Sequence, residues 1–287
     1  MNKNEKKKFF LGTAQLVNAY DSVKTKHTND KKKIFKLLDY ALESGVNKFD
    51  TAQSYNNEEI IGEFIKSNKL IDIQISTKTP SLPKVGVTNK IEFIKKNLDK
   101  SQKKLQTNIH TLFLHDAKDV TFFLKNIYQL KKIKKEFGLK YLGLSLYTLK
   151  NLEQINKCNE VCAIQFPYNF ANNEIIKKKI HNKHIIYARS IFLQGILLNK
   201  KVKKKLPKKI KLAHIKYFEE IIKKKINPLD LCINYAYKQK KLKYIIMGCD
   251  NIYQLKKILN VSIDTKIKNY DYYKNLFNIS DAKIINF

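Results

Sequence analysis

Short apolar runs alternate with longer, lysine-rich amphipathic stretches along the whole chain. The runs are rich in β-branched and aromatic residues, as buried strands are, whereas the stretches between them place apolar residues three and four apart, as helices do. The predicted strands are Phe9–Gly12, Val46–Phe49, Ile71–Thr77, Thr111–Leu114, Tyr141–Ser145, Ala163–Phe166, Ile185–Ala188 and Tyr244–Met247. The pattern therefore predicts eight units, each a strand followed by a helix.

Eight such units indicate a parallel sheet, and eight strands close naturally into a (β/α)8 TIM barrel. An open, doubly wound sheet is the alternative, but it normally carries G-x-G-x-x-G after its first strand, and L-G-T-A-Q-L does not match. No linker-like segment divides the chain, so we predict a single α/β domain over residues 1–287. We expect Asn199–Lys211 to form a surface loop and the tail after Val261 to fold back on the barrel.

The formal net charge of +32 comes almost entirely from lysine, and Arg189 is the single arginine. Proteins that read nucleic acids usually use the fork of arginine, and none of their common motifs occurs here. The abundance of Asn and Ile favours a compositional bias over a polyanion-binding role, although both interpretations stay open. We predict no specific nucleic-acid partner, but the charge should attract anionic small molecules.

The chain carries no apolar run near the ~20 residues that cross a bilayer, and its basic start lacks the apolar core of an export signal. Its four cysteines, Cys158, Cys162, Cys232 and Cys249, lack metal-type spacing and are expected to be reduced thiols. These features predict a cytoplasmic protein with no membrane partner and no metal site.

Chemically distinctive side chains follow three successive predicted strands. Asp50 follows the second strand, Lys78 ends the third and His115 ends the fourth, while Tyr55 lies in the loop after Asp50. In parallel barrels the reactive groups lie at the carboxyl ends of the strands. We therefore expect a carboxylate, an ammonium, an imidazole and a phenol to meet at one rim.

Together these groups suit proton transfer to a carbonyl. A phenol with an ordinary pKa near 10 is a poor acid, but an ammonium within ~4–6 Å lowers that pKa, and a paired carboxylate keeps the ammonium charged. The phenol can then protonate a carbonyl oxygen as hydride reaches the carbon, and a neutral imidazole can orient that oxygen. Each residue alone has an ordinary structural explanation, so the prediction depends on all four.

The segments L-G-T-A-Q, F-D-T-A-Q-S-Y-N-N-E-E-I-I-G, S-T-K and L-F-L-H resemble, in this order, the aldo-keto reductase family. Further similar segments are G-L-S, Q-F-P-Y-N and I-M-G-C-D-N-I-Y-Q-L, so the resemblance covers nearly the whole chain. It implies a (β/α)8 barrel that reduces carbonyls with NADPH or NADH. The family tetrad falls on Asp50, Tyr55, Lys78 and His115. The segment A-R-S-I-F-L-Q-G-I-L-L resembles a branch associated with bacterial surface-sugar pathways.

The resemblance also implies a cofactor site. Gly12, Thr13 and Asp50 are expected near the nicotinamide end, Ser145 and Gln165 at its carboxamide, Ser190, Gln194 and Gly195 at the pyrophosphate, and the stretch from Gly248 to Gln254 at the adenosine. Arg189 occupies the position where many relatives place an aromatic ring against the nicotinamide, and a guanidinium plane can also stack.

Some positions depart from the family pattern. Asn56 replaces the usual glycine after the tyrosine, so the loop is expected to differ in shape, and Leu146 replaces an asparagine beside the carboxamide site. Asp250, Tyr253 and Ile258 differ from the residues usual around the adenosine 2′-phosphate. Because an aspartate repels a phosphate, NADH is an alternative to NADPH.

The leading hypothesis is an NAD(P)H-dependent oxidoreductase that reversibly reduces an aldehyde or ketone, with sugar or nucleotide-sugar derivatives among the expected substrates. Its partner would be a small-molecule carbonyl, and the protein would be a monomer or weak homo-oligomer. The alternative is an NAD(P)-binding barrel that serves as a sensor or partner subunit with little turnover.

Overall fold

The structure is a computed structural model that describes residues 1–17, 30–148, 150–173, 180, 182–202, 206–263 and 270–277. Parallel strands pair in chain order, and the last pairs with the first, which closes the barrel. The strands are β1 (Phe9–Gly12), β2 (Lys48–Asp50), β3 (Gln74–Lys78), β4 (Ile109–Leu114), β5 (Tyr141–Ser145), β6 (Cys162–Pro167), β7 (Ile185–Arg189) and β8 (Leu242–Gly248). The predicted (β/α)8 barrel is confirmed.

Helices cover the outside of the barrel. Their bounds are Lys3–Lys6, Lys31–Glu43, Glu58–Ser67, Val87–Leu105, Val120–Lys125, Ile127–Glu136, Leu152–Lys157, Lys208–Lys223, Pro228–Tyr237, Ile252–Leu259 and Tyr270–Leu276, with 3₁₀ turns at Gln53–Tyr55 and Ala117–Asp119. The apolar stripe predicted from spacing faces inward, as Ile34, Leu37 and Leu38 show in the first long helix. The lysines between such positions lie on the solvated side.

The barrel interior holds its own small core, separate from the layer between strands and helices. Phe10, Phe113, Ala163, Tyr187 and Ile246 form this inner cluster. The ring of Tyr187 on β7 lies 5.4 Å from that of Phe10 on β1 and 5.2 Å from that of Phe113 on β4, measured between centroids. Because β4 and β7 are three strands apart in the barrel order, the contact between Phe113 and Tyr187 crosses the interior. The cluster therefore separates the carboxyl end of the barrel from the amino end.

Several sequence-based boundaries are wrong. The second strand is Lys48–Asp50, so Asp50 ends the strand instead of following it. The third strand begins at Gln74, and Ile71, which lies before it, is 99% exposed. The prediction began the strand too early because an apolar residue outside the sheet lengthened the apolar run in the sequence. Residues 208–211 begin a helix instead of continuing a surface loop, since Ile210 is buried between solvated lysines. Residues 203–205 lie outside the described residues.

The described part of the tail folds back on the barrel, as expected. Tyr273 and Phe277 are both 1% exposed, and the ring centroid of Tyr273 lies 5.8 Å from that of Tyr217 in a neighbouring helix. Residues 264–269 and 278–287 lie outside the described part of the chain. None of the described helices combines the length and apolar character needed to cross a bilayer.

Candidate active site

A cleft of ≈ 950 Å³ opens at the carboxyl end of the barrel, and Asp50, Tyr55, Lys78 and His115 all line it. Asp50 and Lys78 are the last residues of neighbouring strands, and His115 directly follows β4. Tyr55 ends the short 3₁₀ turn after β2. The structure thus brings together the four residues that sequence analysis placed at one rim.

A buried ion pair anchors this group. Lys78 Nζ lies 2.7 Å from Asp50 Oδ2, with Lys78 1% and Asp50 4% exposed. The ammonium also donates to the Thr51 carbonyl oxygen at 2.8 Å. The other carboxylate oxygen, Oδ1, accepts from Ser76 Oγ at 2.7 Å and from Gln165 Nε2 at 2.8 Å. Two buried side chains with this many partners hold each other fixed in place.

Tyr55 lies beside this pair, with its ring centroid 5.2 Å from Lys78 Nζ. Burial raises the pKa of Tyr55 above its ordinary value, the Asp50 carboxylate raises it further, and Arg189 opposes both. The expected lowering of this pKa is therefore not the net direction, because burial, the largest cause, raises it. Tyr55 is consequently a protonated phenol at neutral pH, which is the form that can donate.

His115 is kept neutral. Burial lowers its pKa to about 4, and the charges of Lys78 and Arg189 lower it as well, while Asp50 and Asp116 oppose them. At pH 7 the ring therefore carries one N–H donor and one acceptor nitrogen. This agrees with the neutral imidazole expected from the sequence.

Arg189, the last residue of β7, is held against the cleft by several contacts. Its Nη2 donates to the Leu146 carbonyl oxygen and its Nη1 to Ser190 Oγ, each at 3.3 Å. Its guanidinium carbon lies 4.3 Å from the ring centroid of Tyr147, which also lines the cleft. Sequence reasoning missed Tyr147, although an aromatic residue two positions beyond the end of β5 is a signal that could have found it.

Most residues assigned to the cofactor by resemblance line the same cleft: Gly12, Thr13, Asp50, Ser145, Arg189, Ser190, Gln194, Gly195, Gly248 and Gln254. Gln165 is different, because it is fully buried behind the rim. It donates to Asp50, and its Oε1 accepts from Ser145 Oγ at 3.2 Å, since the β5–β6 register pairs these two residues. Its contact with a carboxamide stays a prediction, whereas its support of Asp50 is visible.

The segment after β7 has an unusual backbone. Ser190, Leu193, Gln194 and Gly195 all have positive φ, at 54°, 48°, 51° and 80°. Turns with left-handed residues can point successive N–H groups to one side and so form concave anion sites. The segment is therefore suited to a phosphate group.

The loop around Asn56 keeps a shape that a glycine would adopt. Asn56 has φ 54° and lies in the left-handed region, which asparagine tolerates better than most residues. The expected change in loop shape is therefore not required by this substitution.

The far end of the cleft has mixed charge. Asp250 donates its N–H to Gln254 Oε1 at 2.9 Å, and Gln254 Nε2 donates to Asp250 Oδ2 at 3.0 Å. Lys256 and Lys257 line the cleft as well, and Lys257 Nζ lies 4.4 Å from the Tyr253 ring centroid. A ligand phosphate here would meet one carboxylate and two ammonium groups.

A parallel barrel with ionisable groups at the carboxyl ends of its strands is the arrangement of a barrel enzyme. The sequence matches the Aldo/keto reductase family over residues 8–275, so the chain belongs to that family. Membership supports an oxidoreductase that acts on carbonyl compounds.

Two curated relatives illustrate the similarity. Aldo-keto reductase str7 of Strobilurus tenacellus is 31% identical over 137 residues, which are 47% of this chain and 40% of str7. The uncharacterized oxidoreductase YqkF of Bacillus subtilis (strain 168) is 24% identical over 230 residues, 76% of this chain and 75% of YqkF. The match to str7 thus spans less than half of that protein's length.

Solved structures share the fold. Aldo-keto reductase AKR11C1 from Bacillus halodurans, in its holo form, superposes with a TM-score of 0.71 at 20% identity and covers 94% of this chain and 91% of its own. The glycerol dehydrogenase AKR11B4 from Gluconobacter oxydans gives a TM-score of 0.68 at 20% identity, with 94% and 90% covered. At such identity the likeness establishes the barrel and not a substrate.

Proposed function

We propose that this chain reversibly reduces an aldehyde or ketone with NADPH or NADH, with Tyr55 as the proton donor. One observation carries the proposal: the buried Lys78–Asp50 ion pair, 2.7 Å long, lies beside Tyr55 and His115 in a single cleft. A phenol, a fixed ammonium and a neutral imidazole together are the groups that carbonyl protonation requires.

The residues act on the carbonyl oxygen. Hydride for the carbonyl carbon is the chemistry that a bound reduced nicotinamide supplies. Tyr55 transfers its phenolic proton to the oxygen, because the alkoxide that hydride addition leaves is a stronger base than the phenolate. Lys78 and Arg189 stabilise the phenolate that remains, and the N–H of neutral His115 orients the oxygen. In the reverse direction the phenolate takes the proton back from the alcohol.

The cleft fits a dinucleotide. Its volume of ≈ 950 Å³ is at the upper end of the range of about 300–1,000 Å³ for pockets that hold small molecules. The left-handed turns of residues 190–195 would hold the pyrophosphate. A Cβ at Gly248 would lie 2.4 Å from Gln15 Oε1, so a larger residue there would displace the end of the Gln15 side chain.

The choice between the two dinucleotides depends on charges at the far end. Lys256 and Lys257 favour the 2′-phosphate of NADPH, while Asp250 disfavours it and makes NADH an alternative. Asp250→Asn should therefore tighten NADPH and leave NADH nearly unchanged, whereas Lys257→Met should weaken NADPH selectively. Fluorescence-quenching titrations with NADPH and with NADH measure the Kd of each dinucleotide. Equal changes in the Kd of NADH and NADPH would show that neither side chain interacts with the 2′-phosphate.

We propose a polar, hydroxylated carbonyl substrate such as a sugar or nucleotide-sugar derivative. The cleft's polar groups and the family branch resembled by residues 188–198 support this class, and one neighbour of similar fold is a glycerol dehydrogenase. The test is a panel of hydroxyaldehydes, keto-sugars and apolar aldehydes, assayed with both dinucleotides. Hydroxylated compounds should give the higher kcat/KM. Failure of both dinucleotides to bind saturably would overturn the function itself.

A further inference from the structure

The amino end of the barrel carries a second depression. Its volume is ≈ 1280 Å³, and it is formed where β8, β1, β2 and β3 begin side by side. Six lysines line it: Lys7, Lys8, Lys48, Lys240, Lys241 and Lys243. The carboxylates in its lining are Glu43 and Asp72. Side chains far apart in the chain thus concentrate positive charge at one place.

The concentration is local and not only a reflection of composition. The catalytic cleft is lined by three lysines and one arginine against three aspartates, and is therefore nearly balanced. The depression has six lysines against two carboxylates in a smaller lining. Two concave surfaces of the same lysine-rich chain therefore differ strongly in net charge.

Five of the six lysines of the depression, Lys7, Lys8, Lys48, Lys240 and Lys243, form no ion pair with a carboxylate within the described residues. Lys8 Nζ donates to the carbonyl oxygens of Tyr237 at 2.9 Å and Gln239 at 3.1 Å. Lys48 Nζ donates to Asn47 Oδ1 at 3.4 Å. Within the described residues, the exposed side chains of Lys7, Lys240 and Lys243 enter no ion pair. The positive charge is thus available to a ligand.

The charged forms of the inner lysines are disfavoured in the absence of an anion. Burial lowers the pKa of Lys8 to about 8. Burial also lowers the pKa of Lys48, and the nearby charge of Lys7 lowers it further, although Asp72 opposes both. A bound anion would stabilise the charged forms of Lys8 and Lys48.

We propose that this depression binds a small anion with two or more linked phosphate groups. Lysine is a compact point charge with three donors, which suits phosphate oxygens. The lining carries six lysines against two carboxylates, and a single phosphate group, with a charge of about −2, would not neutralise this excess. Amide side chains of Asn4, Gln74 and Asn182 in the same lining can donate alongside. The concave shape fits a small polyphosphate better than a bilayer or a duplex, which present broad surfaces.

The experiment compares two triple variants with the same loss of charge. The first, Lys7→Gln with Lys240→Gln and Lys243→Gln, changes exposed lysines of the depression. The control, Lys36→Gln with Lys96→Gln and Lys135→Gln, changes exposed lysines on three outer helices that line neither concavity. Inorganic triphosphate and ATP are titrated into each protein calorimetrically at one fixed ionic strength.

We expect saturable binding to the parent. The depression variant should raise Kd at least about tenfold, since a hydrogen bond to a charged group is worth that much or more. The outer-helix control should stay close to the parent, and Asp72→Asn should lower Kd. Arg189→Gln should leave triphosphate binding unchanged, because Arg189 belongs to the other end of the barrel.

Two arms identify the ligand source. Equal affinity for triphosphate and ATP would mean recognition of phosphates alone, and tighter ATP binding would mean that a nucleoside contributes. Either result supports the site where the depression variant, and not the outer-helix control, weakens that binding. Equal weakening in the two triple variants would overturn the proposal, because only total charge would then matter. Absence of saturable binding to the parent would also overturn it. Neither result bears on carbonyl reduction at the opposite rim.

Discussion

The two ends of this barrel place lysine in opposite environments. At the carboxyl end, Lys78 is buried against Asp50 at 2.7 Å and is fixed by further hydrogen bonds. At the amino end, Lys8 and Lys48 meet only neutral acceptors in the described contacts. A lysine placed against a carboxylate becomes a rigid charge, whereas unpaired lysines together form a surface that attracts anions. Position in the barrel, and not abundance, decides the role.

The inner aromatic cluster keeps the two ends separate. Phe10, Phe113 and Tyr187 pack across the interior between them. Because packed side chains fill this layer, a substitution at one end should leave the other nearly undisturbed. Each change below at the catalytic rim can therefore be compared with one at the opposite end.

The largest effect is expected for Lys78→Met. The rate of carbonyl reduction should fall at least ~100-fold, the usual worth of a general acid, because the phenolate of Tyr55 loses its cation. The free energy of unfolding should fall by about 3 kcal/mol, since Asp50 is left as an unpaired buried charge. Steady-state kinetics and urea denaturation measure the two losses. A stable variant of parental activity would show that the ion pair is dispensable.

A smaller loss is expected for Arg189→Met. This cation opposes the rise in the pKa of Tyr55, so its removal should raise that pKa further and lower kcat, by less than Lys78→Met does. Arg189→Lys should recover part of the rate, because it restores charge without the planar contact with Tyr147. Lys243→Met, which removes a cation at the amino end, is the control. Equal losses in these variants would indicate a general charge effect.

The pH dependence of reduction should reveal the environment of His115. Because the pKa of this ring is lowered to about 4, kcat/KM should show no inflection near the ordinary histidine value of about 6.5. The unfolded chain binds more protons than the folded one between these two values. The free energy of unfolding should therefore fall as the pH drops through that window, and His115→Asn should flatten the slope. A histidine-like inflection of kcat/KM near 6.5, absent in His115→Asn, would contradict this assignment.

The smallest effect is expected for Lys48→Met at the start of β2. Burial and the charge of Lys7 both disfavour the ammonium there, so its removal should leave the free energy of unfolding unchanged or slightly higher. The contrast with Lys78→Met uses the same substitution on the strand next to β3. A loss as large as that of Lys78→Met would mean that Lys48 has a buried anionic partner.

Much of the site could be predicted because strands leave local signals. Apolar runs mark them, and the carboxyl ends of parallel strands meet at one edge, which was enough to bring Asp50, Lys78 and His115 together. The bond from Gln165 to Asp50 could not be predicted, since it depends on the register between strands. The left-handed backbone at Leu193 and Gln194 could not be predicted either, because neither residue type favours that conformation. The depression could not be predicted, because its lysines come from distant segments of the chain and are brought together only when the barrel closes.

The central claim is that Tyr55 protonates the carbonyl at the carboxyl rim. The most direct measurement is single-turnover oxidation of bound NADPH or NADH by a saturating carbonyl substrate, in Tyr55→Phe and in Tyr244→Phe. Tyr244 lines the depression at the amino end, so the second variant makes the same chemical change at the other end. Tyr55→Phe should bind the dinucleotide with an unchanged Kd yet react at least ~100-fold more slowly, while Tyr244→Phe reacts like the parent. Parental turnover in Tyr55→Phe would contradict the account.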